Sequence, residues 1–297
     1  MLITFFIMRK ILFFLIPVLI ISCGRNGSDQ GNKIITVSIA PFKYFVEEIA
    51  GNDFTVNIMV PAGADPHTYE PFPEQINKLR KSVGYISNGY LGFEMNWLDR
   101  FYETNRTMKK LSLSDGIDPL ASEHHHEGGH PEGADPHYWV SPNCAKVIAG
   151  SVEKFLIGLN PLQRQKYETN YQILVSKIQD VDTRARELLS DAPSKCFMIY
   201  HPNLAYLARD YGLEEIPVEF EGKEPTPMRM KELIDRARKD NLKTIFVQLE
   251  YDTKNAKAIA GEIGAKIILI DPLSENWQKS TMDIINALHT SLVDNSK

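Results

Sequence analysis

The chain has 297 residues, 24% of them charged and 43% hydrophobic, and a formal net charge of −5. That composition is ordinary for a globular protein and excludes wholesale disorder. The acidic balance excludes the basic surface that a nucleic-acid partner requires, and the length suggests about two domains.

The start of the chain is set apart. MLITFFIMRKILFFLIPVLIISC carries the basic pair Arg9 and Lys10 and then an apolar run over 11–21. That run is shorter than the roughly 20 residues that span a bilayer. A short apolar segment behind a basic one reads as a secretory signal. Its end, Ile20-Ile21-Ser22-Cys23, resembles a bacterial lipobox. The resemblance implies cleavage after residue 22, acylation of Cys23 and a place in the cell envelope on a lipid anchor. Residues 23–33 then form a polar tether. Cleavage removes both basic residues and no acid, so the mature chain is more acidic still. Cys144 and Cys196 are the other cysteines. They either pair or are two separate buried thiols.

Beyond the tether, the β-branched run 34–39 predicts a strand. Pro41 opens a helix whose apolar face is Phe42, Phe45, Val46 and Ile49, with Gly51 at its end. Strands are expected at 54–60 and 84–87, and helices at 75–83 and 93–102. This alternation predicts a parallel α/β layer. Ser141-Pro142 opens a further helix. After Asn160-Pro161 the apolar residues are Leu162, Tyr167, Tyr171, Leu174, Ile178, Val181, Ala185 and Leu188. Their spacing settles into fours and threes, one face of a helix of about 30 residues, roughly 45 Å long. With α/β patterns on both sides, residues 160–192 read as a rigid spine between lobes 34–159 and 193–297. The second lobe has expected strands at 196–200, 216–220, 244–249 and 266–270. Its helices are expected at 203–211, 227–239, 254–263 and 279–292. The fold class is α/β, two doubly wound parallel-sheet lobes joined by one long rigid helix. Ligands of such sheets gather beyond the C-terminal strand ends.

Those ends carry the chemistry. GADPH occurs at 63–67 and again at 133–137. His67 follows the strand at 54–60, and His137 precedes the helix at Ser141-Pro142. His201 directly follows the strand at 196–200, and Asp271 the strand at 266–270. A lone histidine is commonly structural or exposed, but these three each lie beside a proline at a loop mouth, in DPH, DPH and HP. Proline fixes φ and lowers the entropy lost on binding. Three imidazoles and one carboxylate suit a four-coordinate Zn²⁺ if they converge. The flanks of the two GADPH copies differ, Thr68-Tyr69-Glu70 against Tyr138-Trp139-Val140, so one device is used twice and the segment is not duplicated. The tract SEHHHEGGHPEGAD over 122–135 holds His124, His125, His126 and His130. It either collects zinc weakly or is an inert solvated loop. The acidic stretch 219–225 either lines the cleft or is a plain loop. Glu70 and Glu250 are candidates for groups surrounding the metal.

GADPHTYEP, SNGYLGFEMNWL, DPHYWVSP, YHPNLAYLARDYGL and ILIDPL resemble the signature segments of the cluster A-I solute-binding proteins. These are the zinc- and manganese-binding lipoproteins of bacterial ABC importers, and the likeness runs from about residue 34 to the C-terminus. The resemblance implies two α/β lobes on one rigid helix, with a metal between them held by His67, His137, His201 and Asp271. It also implies an ABC permease as partner and a monomeric chain. Manganese-type members carry glutamate at the third position, so His201 points to the zinc type. The expected function is high-affinity Zn²⁺ capture and delivery to the permease. A manganese or other divalent-metal receptor, or a metal-binding adhesin, is the alternative. An enzyme is not expected: HExxH, GxSxG and P-loop patterns are missing, and four protein ligands leave a zinc no open position.

Overall fold

The structure, a computed structural model, describes residues 33–121, 133–219 and 223–297. The expectations for the signal, for Cys23 and for His124, His125, His126 and His130 fall outside the described residues. Strands β1 (Lys33–Ile39), β2 (Phe54–Val60), β3 (Ser82–Ser87) and β4 (Lys109–Ser112) form one parallel sheet in the order β2-β1-β3-β4. Strands β5 (Cys196–Ile199), β6 (Glu214–Pro217), β7 (Thr244–Gln248) and β8 (Lys266–Ile270) form a second in the order β6-β5-β7-β8. The order repeats: in each sheet the second strand lies on one side of the first, and the third and fourth on the other. Each sheet therefore has its switch point beside its first strand, where ligand crevices form.

Burial explains the strands. Ile35, Val37 and Ile39 of β1 are fully buried along with Thr36 and Ser38, and all five residues of β7 are buried. Strands covered on both faces read as continuous apolar runs. Edges differ. β4 exposes Lys109 and Lys110, and β6 ends in Pro217. Charge and proline both blunt an edge, and the short charged β4 gave no strand signal in the sequence. For the same reason β6 lies at 214–217 rather than at the expected 216–220.

Nine helices are described: α1 (Ala40–Ala50), α2 (Pro73–Arg80), α3 (Gly92–Thr104), α4 (Pro142–Leu159), α5 (Arg164–Leu189), α6 (Ala205–Tyr211), α7 (Pro227–Lys239), α8 (Lys254–Ile263) and α9 (Trp277–Asn295). None of the described helices is long and apolar enough to cross a membrane. Helix α4 begins as predicted, with the Ser141 hydroxyl accepting the Cys144 N–H at 3.1 Å ahead of a first-turn proline.

The spine, α5, is shorter than expected. It has 26 residues, roughly 39 Å. Residues Pro161–Gln163 form a separate 3-10 turn, which leaves Leu162 95% exposed and outside the apolar face. Leu189, not Leu188, is fully buried at the other end. Polar contacts fasten α5 to both sheets' helices. Lys166 and the Tyr167 hydroxyl meet Asp53 at 2.8 and 2.9 Å, and Lys177 meets Glu48 of α1 at 2.6 Å. The buried Asp182 takes Lys146 of α4 at 3.1 Å and the Tyr211 hydroxyl of α6 at 2.9 Å. His289 of α9 reaches the Leu188 carbonyl at 2.8 Å. Around this helix one apolar core runs from Ile35 and Phe45 through Leu174 and Ile178 to Phe197, Tyr206, Trp277 and Leu292. A smaller core, with Met198, Ile245, Leu233 and Ile259, fills the outer side of the second sheet.

Candidate metal centre

His67 and His137 enter through the same backbone device. In each GADPH copy the glycine has positive φ, 77° at Gly63 and 95° at Gly133. Without a Cβ that conformation carries no steric penalty. In each copy the aspartate carboxylate accepts the backbone N–H of the histidine two residues on, 2.9 Å from Asp65 to His67 and 2.8 Å from Asp135 to His137. This is the aspartate turn that such side chains favour. The repeated pentapeptide is thus repeated geometry, as its sequence suggests.

The copies differ in their second bond. Asp65 takes the Thr68 hydroxyl at 3.0 Å. Asp135 takes the His137 ring, Nδ1 to Oδ1, at 2.7 Å. Burial pushes the Asp135 carboxyl up, but the His137 ring and N–H, with His201 nearby, hold it below the usual range. An ionised Asp135 accepts, so Nδ1 of His137 carries the proton and Nε2 presents its lone pair.

His201 sits one residue beyond Tyr200 at the end of β5, and Gln248 from the end of β7 grips its backbone. The Gln248 amide donates to the His201 carbonyl at 2.6 Å and accepts its N–H at 3.4 Å. Glu219, 6% exposed, faces the ring Nδ1 at 3.2 Å. Of the acidic stretch 219–225, Glu219 therefore belongs to the site. Tyr251 stacks on the ring at 4.8 Å.

The three rings converge. Nε2 of His137 is 3.2 Å from Nε2 of His67 and 3.3 Å from Nε2 of His201. One donor atom from each of the three lies within 4.8 Å of the others. A zinc bound tetrahedrally at about 2.0–2.1 Å from imidazole nitrogens sets those nitrogens about 3.3–3.4 Å apart. His137 and His201 are buried and His67 is partly exposed, so the cluster opens on the His67 side.

Asp271 is not in that group of donors. It is half-buried just past β8, and burial pushes its carboxyl up against the opposing Leu273 N–H. Its loop is tied to the cluster, since the Trp139 indole donates to the Pro272 carbonyl at 2.9 Å and the Trp277 indole to the Trp139 carbonyl at 2.7 Å. Glu250 is pushed up to about 7, first by burial and then by the Asp271 and Asp65 carboxylates. Glu70 is exposed. The Asp135 and Glu219 carboxylates, on the rings of His137 and His201, give the site a cation-attracting field. Cys144 and Cys196 are free thiols and do not pair with each other.

A family model for ZnuA, the zinc-uptake complex component A periplasmic, matches residues 35–294. The chain belongs to this family. A solved ZnuA structure shares 38% sequence identity with the chain at a TM-score of 0.82, covering 87% of this chain and 98% of that one. The high-affinity zinc uptake system protein ZnuA of Bacillus subtilis is 26% identical over 285 residues, which cover 89% of this chain and 88% of the relative. The zinc-binding protein AdcA of Streptococcus pyogenes is 25% identical over 287 residues, 89% of this chain and 55% of AdcA. The chain spans about half the length of the streptococcal relatives it matches.

Within this ZnuA-family fold the sequence pointed to the three histidines but not to what orients them. Asp135 was legible only as part of DPH, and Gln248 had no local signal. We expect Asp135→Asn to weaken zinc binding by roughly tenfold to a hundredfold, the usual effect of losing the group that orients a metal-binding histidine. A zinc titration under a competing chelator checks this, with the unfolding temperature of the metal-free protein as control.

Proposed function

We propose that this chain captures Zn²⁺ with high affinity in the cell envelope and passes it to an ABC permease. Residues 1–22 are removed, Cys23 carries the lipid anchor, and 23–33 form the tether. The mature chain works as a monomer, with lobes 34–159 and 193–297 on the spine 160–192. His67, His137 and His201 hold the ion, and Asp271 moves its carboxylate inward as the fourth donor. The observation that carries the reading is the Nε2 spacing, 3.2 and 3.3 Å, which matches the edges of a zinc tetrahedron. Three nitrogen donors favour zinc over manganese, whose preference is for oxygen. The family match supports delivery within an uptake complex.

Titration of the metal-free mature chain with Zn²⁺ and Mn²⁺ under a competing chelator tests it. One tightly bound zinc per chain and far weaker manganese are expected. Equal affinity for the two ions would overturn the zinc assignment.

A further inference from the structure

Among the buried carboxylates that metal capture does not use, one lies beside the site. Glu94, in the first turn of α3, is 1% exposed. It accepts three neutral donors: the Asn88 N–H at 2.8 Å, the Gly89 N–H at 2.6 Å and the Ser38 hydroxyl. Ser38 is the second-last residue of β1 and Asn88 follows β3, so Glu94 bridges the switch point of the first sheet. Burial pushes its carboxyl up to about 7, with the three donors opposing.

Asn88 passes this anchorage on. Its side-chain amide donates to the Pro136 carbonyl at 3.0 Å, and its backbone carbonyl accepts the Tyr138 hydroxyl at 2.6 Å. Its side-chain oxygen takes the Tyr90 N–H at 3.0 Å, which fixes the amide's orientation. Pro136 and Tyr138 flank His137 on either side. Asn88 is fully buried, so none of these bonds is shared with solvent.

We propose that Glu94 is a positioning residue for metal capture: by locking Asn88 to β1 it presets the backbone of His137. This rests on the zinc reading above. The alternative is a plain helix-start carboxylate that contributes stability and nothing to the site. Chemistry separates the two. A carboxylate serves donors on both oxygens, whereas the amide of Glu94→Gln turns an NH₂ toward an N–H donor. The Asn88-Gly89 turn then shifts, and Pro136 shifts with it.

The test is a chelator-competition zinc titration of the wild-type mature chain, Glu94→Gln, His137→Ala and the double variant, with the unfolding temperature of each metal-free protein recorded. Glu94→Gln is expected to weaken zinc by roughly tenfold to a hundredfold, as loss of an orienting group does. In the His137→Ala background the same change is expected to cost less than about twofold, the limit for uncoupled sites. Wild-type affinity within about twofold for Glu94→Gln would overturn the proposal, as would a loss of equal size in both backgrounds. Absence of tight zinc binding by the wild type would instead overturn the zinc reading itself. If Glu94→Gln does not fold, Asn88→Ala takes its place, because it keeps the carboxylate and its backbone donors and removes the side-chain link to Pro136, together with the bond from the Tyr90 N–H. The same coupling to His137 is then expected, and its absence overturns the proposal.

Discussion

His201→Ala is expected to lower zinc affinity by roughly two to three orders of magnitude. Zinc bound by protein ligands at neutral pH is worth about 10–16 kcal/mol. One of the four proposed donors would then carry about 3–4 kcal/mol, and each 1.4 kcal/mol is tenfold. The loss falls on binding and spares the fold, because Gln248 keeps its backbone bonds to residue 201 and β5 keeps its register with β6 and β7. Competition titration against a chelator reads the change, and circular dichroism shows that the variant is folded. Retention of wild-type affinity would remove His201 from the ligand set and with it the basis for preferring zinc.

Saturating zinc should raise the unfolding temperature of the metal-free protein by about 10 °C. A ligand at 1,000 times its Kd stabilises the native state by about 4.1 kcal/mol. For a chain of this size, 1 kcal/mol moves Tm by roughly 2–4 °C. On the proposed ligand set the ion would act on the whole molecule, because the clustered histidines come from both sheets, His67 and His137 from the loops after β2 and β4, and His201 from the end of β5. Calorimetry with and without zinc measures the shift. In His67→Ala it should shrink to a small fraction. A full shift in that variant would place the stabilising ion elsewhere, with the His-rich 122–132 tract the first place to look.

The central strands and the spine were legible because their cause is local: continuous apolar runs for β1 and β7, and a long periodic face for α5. Leu162 shows where that logic ends. It continues the apolar series in sequence, yet the turn at Pro161 rotates it into solvent. The histidines were legible because each sits beside a proline at a strand end or loop mouth. Their partners were not. Gln248 meets His201 across 47 residues, through strand neighbours that only the sheet order brings together, and Tyr138 meets Asn88 across 50. Asp65 and Asp135 occupy identical pentapeptides, yet Asp65 takes the Thr68 hydroxyl where Asp135 takes its histidine's ring. The difference is one of depth: His137 is buried and His67 is partly exposed.

The apolar core that passes unbroken from Ile35 to Leu292 bears on how occupancy is announced. Two bodies that share one packed interior cannot swing apart without opening it to water, and close-packed interiors resist such deformation. Loaded and unloaded forms will then have nearly the same outline. A membrane partner that accepts only the loaded form must sense how firmly the histidine-bearing loops are held, a difference in order rather than in shape. Amide exchange confined to residues 61–72, 133–140 and 200–204 would be the signature of that message.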